Sequence, residues 1–439
     1  MNRIAIIDPF SSGQFIAGEC LARGVEPIAV ISGAEVPTSF ARSYFPENFV
    51  AELRIANAPI SEVASKLRSL NCTMVIAGGC DSGVVEASQL AHALGAPGND
   101  PLKLGCLRDK FLMQECIRDH GLRHINGVKV SSAAEARAWL ARQASSAFVV
   151  KPLRSAVTDG VSFCWSAEEA ARAVERLIGS HDVFGSLNQA ALVQEYVHGT
   201  EYVVDTVSGS GITYVTATLR YKKEVRPDGS ILYSEEVFID PSDDEVQLVT
   251  DYARQVVDAL GILFGAAHLE IMLAEDGPVL VEVGARLHGT LVPRHLQKIC
   301  NVSQLELLLD AALDPEGFKE KTRQPAKLIK HSKTVWLSSD RFGVVEAIPG
   351  KAWAVTLASY YSAIWNIDID QQLQSTKTLL DSPGCIFLAH DDPRVLDLDT
   401  ARIRHMENNA QLWKLRNTSS GDGRDALHQS NAANWSHSR

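Results

Sequence analysis

The segment AAHLEIMLAEDGPVLVEVGARLHG, Ala266–Gly289, constrains this chain more than any other. Two alternating stretches flank Glu275, Asp276 and Gly277, and a three-residue loop with glycine last is a recurrent hairpin connection. Centring the turn on Asp276 sets Glu270 opposite Glu282. Strand alternation then sorts the side chains by face. Ala267, Leu269, Ile271, Leu273, Val279, Val281, Val283 and Ala285 share one face, all apolar, and form the core side. His268, Glu270, Met272, Leu280, Glu282 and, if the strand extends so far, Arg286 share the other. Directly opposed glutamates have Cβ atoms about 4.5–5.5 Å apart and repel. A cation between them, or a proton on one, relieves the repulsion. Hard carboxylate oxygens at this spacing suit Mg²⁺, which takes one or two protein carboxylates together with phosphate oxygens and water. The plain alternative is a solvated strand face with incidental glutamates. A one-residue slip in register would separate the pair.

Around this hairpin the chain falls into parts. Ile4–Ile7, Ile28–Ile31 and Met74–Ala77 read as strands, alternating with helices over Phe15–Arg23, Ser61–Leu70 and about Ser82–Leu94. Such alternation predicts a doubly wound α/β sheet. No GxGxxG follows the first strand, so no dinucleotide site is read there. Leu94–Pro101, LGAPGNDP, packs two prolines and two glycines into eight residues and marks a boundary near residue 98. Asp100 and Pro101 are placed to cap and start a helix running to about His120. The region 99–315 reads as α+β with largely antiparallel strands. The pattern restarts over 316–416 as a smaller α+β unit, with strands at Ala326–Trp336, Gly343–Ile348 and Cys385–His390. Residues 417–439, rich in Ser, Asn, Gly, Asp and His, predict a disordered tail.

Several residues before the hairpin carry chemistry. Lys151 ends the apolar run AFVVKP, although lysine is rarely buried without a partner. Ser155, Thr158 and Gly160 follow in a loop of small residues whose backbone N–H groups could approach phosphate; a surface hairpin loop is equally compatible. Lys110 sits on the helix after the boundary, where a solvated lysine is the ordinary finding. Leu192–Asp205 reads as strand, break at His198–Gly199, then strand, an arrangement that can present backbone hydrogen bonds to a base.

Composition narrows the classes. The 439 residues carry a net charge of −11 with 46% hydrophobic and 22% charged residues. That is ordinary globular composition, and an acidic chain is a poor partner for nucleic acid. The eight cysteines are scattered without a CxxC pair, which favours a reducing, cytoplasmic setting over a disulfide framework. No apolar run approaches the length of a membrane span, and the N-terminus lacks the pattern of a signal peptide.

In this order the features resemble the ATP-grasp superfamily over roughly residues 1–315. The likeness runs from the strand–helix preceding part through LGAPGN, Lys110, VVKP, the small-residue loop and QEYVHGTE to the hairpin ending in GARLHG. It implies an ATP-grasp architecture, with ATP as nucleotide and one or two Mg²⁺ ions, or Mn²⁺, as metal. By position, Lys110 and Lys151 correspond to the lysines that hold the phosphates and adenine edge. Ser155–Val161 corresponds to the phosphate loop, Gln194, Glu195, Tyr196 and Val197 to the adenine hinge, and Glu201 to the ribose carboxylate. Glu270 and Glu282 correspond to the metal ligands. Arg286 corresponds to the arginine that steadies carboxylate and oxyanion, with Lys151 adding fixed charge to catalysis. His288, Gly289 and His268 are candidate substrate contacts, and Asp81 and Ser82 of GGCDSG could face the cleft. One departure stands out. The common ending E-x-N-x-R is here Glu282-Val283-Gly284-Ala285-Arg286, so the asparagine ligand is absent. Either Glu282 chelates with both oxygens or water fills the gap. The following R-L-H-G-T is similar to bacterial L-amino acid ligases, which implies dipeptide formation from two amino acids through an acyl-phosphate, with small-molecule partners only and a homodimer as a common assembly. The alternatives are a ligase or carboxylase for another acid, and a nucleotide-binding module that has lost catalysis.

Overall fold

The structure, a computed structural model, describes residues 2–416 apart from 57, 156–158, 183, 226–230, 241–242 and 290–292. Thr158 and the expected tail, 417–439, lie outside the described residues.

The N-terminal strands Ala51–Arg54, Glu26–Ile31, Arg3–Ile7 and Cys72–Ala77 run parallel in that order. Successive residues of the first strand enter different cores. Ile4 and Ile6 meet Ile16, Ala17 and Cys20 of the helix Gln14–Ala22. Ala5 and Ile7 meet Val63, Ala64 and Leu67 of Ile60–Ser69, and Ala87 and Leu90 of Val84–Leu94. A strand covered on both faces needs a continuous apolar run, and IAII supplies it. Ala51–Arg54 was not expected from sequence; AELR is half-exposed and closes one edge. Chain order reverses about Arg3–Ile7, where doubly wound sheets open a crevice beyond the strand carboxyl ends.

The predicted capping by Asp100 is corrected. Asp100 closes a turn, accepting from Leu102 N–H at 2.9 Å. The helix begins later, at Lys110, and runs to Asp119; its cap is Asp109, which accepts from Phe111 and Leu112 N–H. Lys110 thereby occupies the first turn of a capped helix.

Next comes a small antiparallel sheet, in the order Gly127–Val130, Ala191–Glu195, Phe148–Pro152, Ser162–Cys164. The helices Ala133–Leu140 and Ala167–Leu177 pack on it through Ala136, Leu140, Ala170 and Val174. The largest sheet has eight strands, ordered Gly277–Gly284, Gly265–Ala274, Thr200–Gly209, Ile212–Val225, Ile231–Phe238, His331–Trp336, Gly384–His390 and Tyr360–Trp365. Its last three strands come from the C-terminal region: Glu236 pairs with Thr334, so that region extends the central sheet while building its own core around Ile386, Leu388 and Ile403. Among the described residues no helix is long and apolar enough to cross a membrane.

Candidate active site

The two hairpin strands place Glu270 directly opposite Glu282, as the alternation predicted. The route to that register differs. Ala274 pairs with Gly277, so the loop is Glu275 and Asp276 alone, closed by Gly277 at φ +112°. A two-residue loop followed by regular pairing would set Glu270 against Val281. The register instead shifts between Glu270 and Ile271, and Val281 is the extra residue of a bulge that restores the glutamate pair. The faces change accordingly. Leu280, expected beside the glutamates, is fully buried in the core with Leu269, Ile271 and Val283, and Val281, expected there, is only half-buried.

The bulge has a partner. Lys151, at the end of Phe148–Pro152, donates its Nζ to the Val281 carbonyl at 3.3 Å. Lys151 is 4% exposed. Burial, aided by the Lys110 charge, brings its ammonium down to about 8 against the attraction of Glu282, Glu270 and Glu201. Lys110 Nζ lies 3.2 Å from Glu282 Oε2 and donates to the Ser155 carbonyl at 2.9 Å. The Ser155 hydroxyl donates to Asp159 at 2.8 Å, and Gly160 adopts φ +69°. The loop thus meets Lys110 through a backbone carbonyl, with its serine hydroxyl engaged inside the loop.

Glu201, second in the strand Thr200–Gly209, lies beside Met272 and is 5% exposed. Lys223 pairs with its Oε2, while Oε1 is buried with no hydrogen-bond partner among the described residues. Burial raises the Glu201 carboxyl against the pull of Lys223. Lys223, against its own burial, is held above the ordinary lysine value by Glu201 and Glu270. Gln194 Nε2 is another buried polar atom without a partner among the described residues. In the expected hinge, the N–H groups of Glu195 and Tyr196 are committed to the carbonyls of Asn126 and Ala147, both at 3.0 Å. The Tyr196 ring meets Phe163, Trp165 and His198 edge-on, which stiffens the approach to Val197.

Behind Glu270 lies a charge chain that sequence inspection did not find. Asp205, fully buried, accepts from His268 Nδ1 at 2.9 Å and from His288 Nδ1 at 3.0 Å. His268 Nε2 stands 3.8 Å from Glu270 Oε1. Burial opposes a charge on His268, but the hydrogen bond to Asp205 and the nearby Glu270 carboxylate outweigh it and raise the imidazole to about 9. The Glu270 carboxyl, pushed up by burial, is held well down by His268 and by Lys223 and Lys151. The one legible signal was Asp205 itself, an acid inside the apolar strand YVVDTV. His268 and His288 are thus buried and hydrogen-bonded to Asp205, and His268 also faces Glu270.

Arg286 turns to the N-terminal sheet. Its Nε and Nη2 donate to Asp81 Oδ2 at 3.1 and 2.9 Å, and its Nη1 to the Leu287 carbonyl at 2.9 Å. Asp81 thus reaches the cleft; Ser82 turns inward and donates to buried Asp8. The Gly289 carbonyl accepts from Ser11 Oγ at 3.0 Å. Among the described residues, the trio with ligating atoms within 4.8 Å of one another is Asp205, His268 and His288, where hydrogen bonds account for the spacing. The donor set around the hairpin fits a magnesium nucleotide better: two opposed carboxylates, two lysines beside them, and unpartnered buried atoms on Glu201 and Gln194.

Comparison with known proteins agrees. The ATP-grasp domain family matches residues 144–294. Dapdiamide A synthase of Enterobacter agglomerans is 31% identical over 421 residues, covering 92% of this chain and 95% of the relative. Among solved structures, an L-amino acid ligase from Bacillus licheniformis superposes with a TM-score of 0.71 at 18% identity, covering 92% of this chain and 97% of the other. The biotin carboxylase domain of the Hydrogenobacter thermophilus 2-oxoglutarate carboxylase, solved with MgADP and bicarbonate, gives a TM-score of 0.63 at 12% identity, covering 94% and 90%. At such identities the structures speak for the fold alone, whereas the relative aligned over nearly its whole length speaks for kinship. On that kinship and this geometry, the chain belongs to the ATP-grasp family and is an ADP-forming carbon–nitrogen ligase.

Proposed function

We propose that the enzyme joins two L-amino acids, activating the carboxylate of one as an acyl-phosphate and passing it to the amine of the other. The observation that carries this reading is the register of Glu270 against Glu282, with Lys110 on one glutamate and Lys151 on the bulge between them. The relative named for dapdiamide A supports an amide-forming reaction.

A carboxylate is a poor electrophile, and its attack on the γ-phosphate of ATP converts it to a reactive acyl donor. Glu270 and Glu282 would hold Mg²⁺, as one or two ions or with Mn²⁺ in its place, and the metal would neutralise charge on the phosphate oxygens. Lys151 and Lys110 supply fixed positive charge beside the glutamates. Glu201 and Gln194 orient the nucleoside through the buried side-chain atoms that have no partner among the described residues, with Val197 at the hinge. Asp205 and His268 keep Glu270 ionised and aimed. Arg286 holds the substrate carboxylate and the oxyanion formed when the amine attacks, because its planar fork matches two oxygens. Gly160 and the Ser155 loop close over the phosphates. The eight cysteines are free, which supports a cytoplasmic setting.

Phosphate release from Mg-ATP, measured across pairs of L-amino acids, tests the assignment. Release that requires amino acids, yields ADP and is lost in Glu282→Ala supports it. Turnover with other carboxylic acids alone would move the substrate, and ATP binding without turnover on any acid would defeat the ligase reading.

A further inference from the structure

Position 284 is where the usual asparagine ligand is missing, and the structure shows what lies there. A Cβ built on Gly284 would stand 2.9 Å from Asp81 Oδ1, closer than Cβ atoms approach any neighbour. Gly284 follows Glu282 by two residues on the same strand, so a side chain there would project to the glutamate side. The carboxylate of Asp81, delivered by the loop after the N-terminal strand Cys72–Ala77, already occupies the start of that path. Asp81 uses only Oδ2 for Arg286, through two hydrogen bonds; Oδ1 is the oxygen that points at Gly284. Lys110, which pairs with Glu282, also attracts the Asp81 charge, and Glu282 attracts Arg286, so the four groups share one neighbourhood.

We propose that Asp81 supplies, from the N-terminal sheet, the metal-ligand oxygen that this chain lacks at position 284. The proposal rests on the ATP-dependent reading of the hairpin. Hard divalent ions accept a carboxylate oxygen as readily as an amide oxygen. A carboxylate that places one oxygen on a metal and the other on a guanidinium also fixes the arginine beside the metal. Oxygens of Asp81, Glu270 and Glu282 are not gathered within 4.8 Å of one another here. The ion and the phosphates provide the attraction that draws the three carboxylates together by side-chain rotation. A side chain at position 284 would meet the Asp81 carboxylate and, at 3.1 Å, the Arg286 guanidinium, so the Asp81–Arg286 pair must shift to admit an asparagine, and in this chain the Asp81 oxygen holds that place.

The test is Mn²⁺ titration of the full-length protein saturated with ADP, following free Mn²⁺ by electron paramagnetic resonance. Asp81→Ala should weaken Mn²⁺ binding roughly 10–100-fold, the range seen when metal-site partners are removed, with Asp81→Asn less affected. The loss should persist when Arg286→Ala is the background. Gly284→Asn should weaken binding in the native chain and restore it in Asp81→Ala, a non-additivity that only a shared position produces. Thermal melts of each apo variant separate ligand loss from unfolding. Unchanged Mn²⁺ affinity in Asp81→Ala, with loss in Glu282→Ala, overturns this proposal alone. So does an effect that vanishes in the Arg286→Ala background, since Asp81 would then act only through the arginine. Unchanged affinity in Glu282→Ala itself overturns the hairpin reading and this proposal together.

Discussion

Lys151 shows how much a single residue's surroundings decide. It is a buried lysine whose ammonium is brought down to about 8 by burial and Lys110. Phosphates arriving beside it favour the charged form again. Binding of Mg-ADP at pH 8.5 should therefore take up protons, seen as a calorimetric heat that depends on the buffer's ionisation enthalpy. Lys151→Met should abolish the uptake; a buffer-independent heat in the native protein would contradict the assignment. His268 titrates with the opposite sign. Its folded value, about 9, lies above the ordinary 6.5. Its stabilising contribution is complete below pH 6.5 and is lost as pH rises through 9. His268→Asn should thus be less stable than the native chain by on the order of 2–3 kcal/mol at pH 6, with the difference closing by about pH 10. A Tm gap independent of pH would remove the charged His268 from the account. For turnover, Glu282→Ala should cost roughly 10²-fold or more in kcat/KM, measured by phosphate release under saturating amino acids.

Elements place these residues, and two of them do it by small devices. The helix Lys110–Asp119 begins where Asp109 caps it, and that start points Lys110 at Glu282. Asp109→Ala should lower stability by about 1 kcal/mol. It should also weaken ADP binding more than an equally destabilising surface change, because the first turn carries the lysine. Denaturant midpoints and ADP titration separate the two effects. In the hairpin, apolar alternation revealed the glutamate pair, yet the turn length and the bulge at Val281 offset each other in a way that periodicity does not encode. Alternation reports which residues share a face over a few positions. It does not report an extra residue whose carbonyl is met by a lysine on another strand. The cap was misjudged for a similar cause: Asp100–Pro101 has the local form of a helix start, and the choice of Asp109 depends on the chain first turning over the Gly261 carbonyl, which accepts from Asp100 N–H at 2.9 Å.

At the scale of the molecule the site is assembled from three sheets. The parallel sheet brings Asp81, the small antiparallel sheet brings Lys151 and Gln194, and the eight-stranded sheet brings Glu201, Glu270 and Glu282. A shared core ties the first to the last: Ile16 and Cys20 pack with Leu305, Leu308 and Ala312. Leu308, 1% exposed, is a fair probe of that tie. Leu308→Ala should cost about 2–5 kcal/mol and shift the main calorimetric transition as a whole; an early separate transition of the N-terminal part would show that the sheets melt independently. By itself the sequence determined the alternating N-terminal strands, the opposed glutamates and the buried Lys151, because each is written in local period or an unusual residue within one element, whereas Lys110 and Glu201 stood out only through the family resemblance. The tertiary structure alone decided that Asp205 joins His268 and His288, that Lys223 meets Glu201, that the C-terminal strands extend the central sheet, and that Asp81 meets Arg286 across 205 residues of chain. Those contacts join residues far apart in the chain, and side-chain chemistry alone does not say which of many distant partners the packing of separate sheets will bring within reach.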